Sequence, residues 1–141
     1  CDVIYGGSET VTTLTSSVCP TVYTYGPFDI TSASFTMSGS ATAGTSAIVE
    51  RGFVVSKTDS TPTIGEGAGK YPTGSGAGHF DYGNFPATAS TTYYYRAYAS
   101  ASGCLEYGSS VTLSTSASVP VSSCNAFSAS GATNFLGACS E

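Results

Sequence analysis

Apolar and polar residues alternate along several stretches of this chain, and this pattern favours a sheet over any helical fold. In residues 91–99, Tyr93 and Tyr95 fall on one face and Tyr94 and Arg96 on the other, because successive side chains of a strand point to opposite sides. Shorter runs separated by Gly, Pro and Ser recur at 33–38, 48–55, 79–85 and 111–113. The pattern predicts an all-β, antiparallel sandwich of the immunoglobulin or fibronectin-III type, with strand extensions at both termini.

Composition and charge exclude several function classes. Only 9% of the residues are charged, against about 25% in typical soluble domains. The net charge is −5 and the chain has four cations in all, too few to neutralise a row of phosphates, so no nucleic-acid partner is expected. No apolar run approaches the roughly 20 residues that a membrane-spanning helix needs.

The cysteines predict an oxidising compartment, and hence a secreted or cell-surface protein. No pair has the C-x-x-C spacing, and a single histidine cannot complete a Cys/His zinc set, so neither a metal nor another cofactor is expected. The number of cysteines is odd, and the sequence leaves their pairing open. The disulfide candidates are Cys1, Cys19, Cys104, Cys124 and Cys139.

Three segments and a dipeptide that follows them form a recognisable series. They are DITSASFTMSG at 29–39, VERGFVVS at 49–56, TTYYYRAYA at 91–99 and Tyr107-Gly108. In this order they resemble the fibronectin-type-III-like repeats of bacterial surface proteins, particularly those of the Bacteroidota. The resemblance covers about residues 20–115 and implies a β-sandwich at the cell surface, without any particular activity. It also implies that Tyr93 is a corner tyrosine, whose hydroxyl bonds to the backbone nearby. The Pro-Gly that usually precedes this tyrosine motif is absent here.

Sequence similarity between two segments of the chain predicts a three-part organisation. Residues 5–14 resemble residues 107–115, the last strand of the domain, and each copy follows a cysteine. We therefore divide the chain into a spare last strand at 1–18, a complete sandwich at 19–115 and a first-strand-like segment at 116–141. A spare strand is stabilised by docking on the open edge of another copy. The assembly strand would present Val3, Tyr5, Val11 and Leu14.

No residue pattern predicts catalysis, and the chain is not expected to be an enzyme. His79 and Asp81 share a strand face, but no serine in a nucleophile elbow accompanies them. The carboxylates are scattered one per element, so no pair suggests glycosidase chemistry. The glycine-rich segments 65–69 and 74–78 lack the Lys-Ser/Thr ending of a phosphate loop and are interpreted as loose turns flanking 70–72.

One aromatic face has two interpretations. Tyr94, Arg96 and Tyr98 form a stripe on one side of the strand at 91–99. If this stripe is exposed, its rings and guanidinium suit stacking on a sugar or packing on another subunit. The alternative is ordinary packing between neighbouring strands.

These patterns favour a structural function. The first hypothesis is a subunit of an extracellular filament that assembles head to tail from copies of itself by strand exchange, with disulfides locking the contact. The alternative is a cell-surface adhesin or glycan-binding module that holds a glycan or another surface protein on its Tyr/Arg face.

Overall fold

The fold is an antiparallel β-sandwich of two sheets, as the alternation predicts. The computed structural model describes Gly7 and residues 16–118. Its strands are β1 Thr21–Thr24, β2 Ser34–Thr42, β3 Ile48–Ser56, β4 Gly69–Gly74, β5 Gly78–Pro86, β6 Thr92–Ala101, β7 Cys104–Tyr107 and β8 Val111–Ser114. No helix in this part of the chain is long and apolar enough to cross a membrane.

The two sheets divide the strands unevenly. One sheet has the order β1-β2-β5, and the other has the order β4-β3-β6-β7, with β8 also pairing with β6. All pairings are antiparallel. The edge strands β4 and β5 belong to different sheets and lie against each other along one side of the sandwich.

The core is predominantly aromatic. Phe35 of β2 lies 4.8 Å from Phe85 of β5 and 5.3 Å from Tyr93 of β6, between ring centroids. Such tilted contacts place ring edges against ring faces, which the ring quadrupole favours. Tyr95 is fully buried and donates a hydrogen bond of 2.6 Å to the carbonyl of Tyr25. The core thus consists largely of aromatic rings that point inward from every second residue of a strand and pack between the two sheets.

The glycine-rich segments that flank 70–72 contain a turn at 65–67 and a bend at 75–77, as predicted, while residues 69–74 between them form the edge strand β4, which was not predicted from the sequence. Its residues alternate between half-buried and exposed, and it pairs only with β3. Pro72 is tolerated at this position because an edge strand leaves one side of its backbone without a partner.

The second sheet is covered on its outer face as well as on its inner face. Val54 points away from the core residues Phe53 and Val55, yet it is fully buried. The segment between β3 and β4 lies over this face: Pro62 is fully buried, and the N–H of Ile64 donates to the hydroxyl of Tyr107 at 3.0 Å. This cover decides which side chains of the sheet a ligand can reach.

The three-part division of the chain stays a prediction. The strands run from residue 21 to residue 114, within the predicted sandwich at 19–115. Most of the proposed extensions, and all four residues of the proposed assembly strand, lie outside the described residues.

Close packing between the sheets at Gly39 gives a first testable prediction. A β-carbon at Gly39 would lie 2.9 Å from the β-carbon of Ala97 and 3.0 Å from the carbonyl oxygen of Tyr23. Gly39→Val is therefore expected to lower the free energy of unfolding by about 1–3 kcal/mol through overpacking, measured by urea denaturation. The control is Gly83→Val in β5, where nothing lies within 4 Å of the added carbon. Equal losses in both variants would contradict the close packing.

Candidate ligand-binding cleft

A cleft of about 280 Å³ opens at the end of the sandwich. It lies where β3 ends, β4 begins, β5 ends and β6 begins, because antiparallel pairing brings these strand ends together. Its volume is close to the lower end of the range for ligand pockets, about 300–1,000 Å³. The lining residues are Val55, Ser56, Lys57, Thr58, Gly67, Tyr71, Phe85 and Tyr93.

Aromatic rings form the apolar wall of the cleft. Phe85 contacts Tyr71 edge to face, with ring centroids 5.0 Å apart, and contacts Tyr93 in the same way at 5.8 Å. Tyr82 lies behind Tyr71 at 5.3 Å and keeps that ring in place. Since the rings are held by their neighbours, the wall is ready to receive a flat apolar group without first being ordered.

Lys57 is the cation of the cleft. Its ammonium lies 5.3 Å from the ring centroid of Tyr93 and 3.4 Å from the hydroxyl oxygen of Thr88. Among the described residues, no carboxylate lies within ion-pair distance of Lys57. Each of the other three cations has a close oxygen partner: Arg51 with the carbonyls of Gly76 and Gly78, Lys70 with Glu50, and Arg96 with the carbonyl of Gly108.

Tyr93 connects the cleft to the loop before β6. Its hydroxyl accepts a hydrogen bond of 2.8 Å from the backbone N–H of Thr88, which is the type of contact that the fibronectin-III-like resemblance implies for this residue. Burial raises the pKa of Tyr93, but the hydrogen bond from Thr88 and the nearby Lys57 ammonium outweigh it, and the net pKa lies below its ordinary value.

The predicted Tyr/Arg face is largely occupied by the protein itself. Tyr98 is fully buried, and its hydroxyl donates to Glu50 at 2.9 Å. The guanidinium of Arg96 lies 4.8 Å from the ring centroid of Tyr107, while Tyr94 is half-buried. A ligand or subunit therefore cannot reach the ring of Tyr98, and any role of this face in binding stays a prediction.

Glu50 holds the end of this face together. Lys70 forms an ion pair with Glu50, and its ammonium also lies 5.6 Å from the ring centroid of Tyr98. The hydrogen bond from Lys70, helped by that from Tyr98, outweighs burial and holds the pKa of Glu50 below its ordinary value. Burial and the bond to Glu50 raise the pKa of Tyr98 above its ordinary value.

One disulfide lies within the described residues. Cys19 is bonded to Cys104, with their α-carbons 5.6 Å apart, so the segment before β1 is tied to the first residue of β7. The disulfide is consistent with an oxidising environment. The other disulfide candidates, Cys1, Cys124 and Cys139, lie outside the described residues.

His79 and Asp81 share an exposed face of β5, as the alternation predicts. Asp81 approaches Nε2 of His79 at 3.4 Å, and the hydroxyl of Ser38 lies 2.9 Å from the same nitrogen. A serine–histidine–aspartate triad places the serine and the acid on different ring nitrogens. The three side chains therefore do not form a triad. The position of Ser38 beside His79 was not predicted from the sequence.

The described residues contain no cluster of three or more His, Cys, Asp or Glu side chains that could hold a metal ion. The cleft residues were not predicted as a site. The sequence gives no direct signal for them, because they come from four strand ends and from the loop that follows β3.

The fold has a counterpart among solved structures. No protein-family model matches the chain, and no curated protein matches it. The chain is similar to the sensor domain of the anti-sigma factor RsgI4 of Pseudobacteroides cellulosolvens, with a TM-score of 0.53 and 13% sequence identity. The match covers 72% of this chain and 99% of that domain, so the likeness extends over the whole neighbouring domain.

This likeness corrects the functional prediction. The prediction of a filament subunit is contradicted, because a solved structure that shares the fold is a sensor domain of an anti-sigma factor. The alternative prediction of an adhesin is not supported either. The filament prediction depended on the similarity between residues 5–14 and 107–115, and the first of these segments lies outside the described residues except for Gly7.

Proposed function

We propose that this chain is a non-catalytic sensor module that recognises a small ligand in the cleft at the end of the sandwich. The observation that carries this proposal is the combination of a preformed aromatic wall with Lys57, a cation that has no carboxylate partner among the described residues. An apolar pocket with a few polar groups at its rim is the usual form of a small-molecule site.

The likeness to a sensor domain supports the proposal at the level of fold. A sandwich of this kind presents its loops and strand ends as a rigidly held recognition surface, and function commonly resides there. The cleft of this chain is built from such strand ends, together with the loop that follows β3.

We also infer that the module works outside the cytoplasm, secreted or at the cell surface. The Cys19–Cys104 disulfide supports this inference, since such bonds are rare in reducing compartments.

We infer further that the sandwich is a fibronectin-type-III-like variant. In the constant-type immunoglobulin fold, the fourth strand lies beside the fifth. Here β4 instead pairs with β3 in the opposite sheet. This strand order and the Tyr93–Thr88 hydrogen bond support the assignment.

A titration followed by nuclear magnetic resonance tests the recognition site. The full chain, labelled with ¹⁵N, is titrated with 2-phenylethanol, a neutral probe with one aromatic ring. We expect the largest shift changes at the amides of Ser56, Thr58 and Gly67, which line the cleft.

Two variants make this test specific. Thr58→Tyr places a ring at the cleft and is expected to abolish the shift changes, whereas Thr112→Tyr on the exposed side of β8 is expected to leave them unchanged. Shift changes that survive Thr58→Tyr, or that occur only away from the cleft, would contradict the proposed site.

A further inference from the structure

We propose that the ligand of this cleft carries a carboxylate next to a flat apolar group, and that Lys57 binds the carboxylate. This inference rests on the proposed function, because it names the ligand class of the same site. It follows from three features of the cleft: an unused donor of Lys57, the absence of lining carboxylates, and the shape of the aromatic wall.

At least one hydrogen-bond donor of Lys57 is unused by the described residues. An ammonium has three N–H donors, and Thr88 offers one acceptor at the long distance of 3.4 Å. The ammonium also lies 5.3 Å from the ring centroid of Tyr93, and a hydrogen bond from it helps to lower the pKa of the Tyr93 hydroxyl. A ligand carboxylate at the cleft could therefore accept a hydrogen bond from Lys57 without breaking a hydrogen bond within the protein.

Among the described residues, no carboxylate lines the cleft. The two acids nearest to the lining residues in sequence are bound to neighbouring threonines. Asp59 accepts hydrogen bonds from Thr61, and Glu66 accepts one of 2.8 Å from Thr63. Lys57 is thus the one charged side chain among the residues that line the cleft.

The wall selects the rest of the ligand. Tyr71 is half-buried and offers the accessible ring of the wall, while Phe85 and Tyr93, 5% and 2% exposed, support it from behind in edge-to-face contact. A planar group can stack or pack edge-on against such a ring, and the cleft volume of about 280 Å³ suits one ring with a short side chain.

The charge at the site favours a singly charged anion. One ammonium balances one negative charge, while a phosphate near neutral pH carries about 1.5 to 2 charges and is usually held by several donors. A ligand amine would be repelled by Lys57, with no carboxylate among the lining residues to compensate.

Three probes that share a phenyl group and differ in charge test this assignment: phenylacetate, 2-phenylethanol and 2-phenylethylamine. We measure the Kd of each with the full ¹⁵N-labelled chain from shifts of the cleft amides. We expect phenylacetate to bind at least about 10-fold more tightly than the alcohol, the lower end of what one hydrogen bond to a charged group contributes. The amine should bind more weakly than the alcohol. Added salt should reduce the preference for phenylacetate.

Lys57→Met keeps an unbranched apolar side chain over Tyr93 and removes the charge. It is expected to abolish the preference of phenylacetate over the alcohol, so that the two probes bind with equal affinity. Lys70→Met removes a cation that pairs with Glu50 on another face, and it should leave the preference intact.

The outcomes separate this inference from the proposed function. Equal affinity of the cleft for phenylacetate and the alcohol, unaffected by Lys57→Met, would overturn the carboxylate assignment and leave the cleft as a recognition site. A preference that survives Lys57→Met and is lost in Lys70→Met would also overturn it. If none of the probes shifts the cleft amides, both the assignment and the proposed function are wrong.

Discussion

Replacing Cys19 and Cys104 together by serine is expected to lower the free energy of unfolding by about 4–5 kcal/mol. The bond joins residues separated by 85 positions and therefore encloses nearly the whole sandwich. In the chain-entropy account, cross-linking a loop of this length strongly restricts the unfolded chain, while the folded chain loses little. Urea denaturation of the full-length protein, followed by circular dichroism, measures the loss.

Both cysteines are replaced together because a single substitution would leave the other thiol free to form a new disulfide. Ser102→Ala, at an exposed position in the turn before Cys104, serves as the control and should change the free energy of unfolding by much less. A loss below about 1 kcal/mol in the double variant would mean that the bond does not constrain the unfolded chain as its span requires.

The sequence predicts most of the strands because alternation is a local property. The runs at 33–38, 48–55, 79–85, 91–99 and 111–113 correspond to β2, β3, β5, β6 and β8. The edge strand β4 was missed because it contains Pro72 between two glycine-rich segments, which are features of turns when taken alone. Only its pairing with β3 makes it a strand, and pairing is a tertiary property.

The sequence also indicates that β3 is buried on both faces, but it does not indicate which segment covers the outer face. Phe53, Val54 and Val55 form a continuous apolar run, which is typical of a strand covered on both faces. The run does not reveal what covers the outer face. That depends on the return of the segment containing Pro62, and this is why the Tyr94–Arg96–Tyr98 stripe could be interpreted as a free surface.

The cleft could not be predicted because its residues are far apart in sequence. Tyr71, Phe85 and Tyr93 meet only after two sheets have packed with β4 against β5. Lys57 follows a strand and resembles any solvated lysine in the sequence. Its significance comes from a comparison that needs coordinates, namely that the other three cations have close oxygen partners among the described residues.

Raising the pH above about 10 is expected to destabilise the fold steeply. Burial raises the pKa of Tyr95 and Tyr98 in the folded chain above the ordinary value of 10.0. Above that value the unfolded chain loses these protons while the folded chain keeps them, so the unfolded state binds fewer protons and stability falls with pH. Each phenol contributes a slope of about 1.4 kcal/mol per pH unit, or about 2.7 kcal/mol for both. Urea denaturation at several values between about pH 9 and 12 measures this slope.

Tyr98→Phe separates the two contributions. It removes one of the two ionising groups, so the slope above about pH 10 should fall by about half, even if the lost hydrogen bond to Glu50 lowers stability at neutral pH. Tyr23→Phe, at an exposed ring, is the matched control and should leave the slope unchanged. If Tyr98→Phe also leaves the slope unchanged, Tyr98 ionises in the folded protein. Solvent then reaches its hydroxyl, which would contradict the full burial of Tyr98.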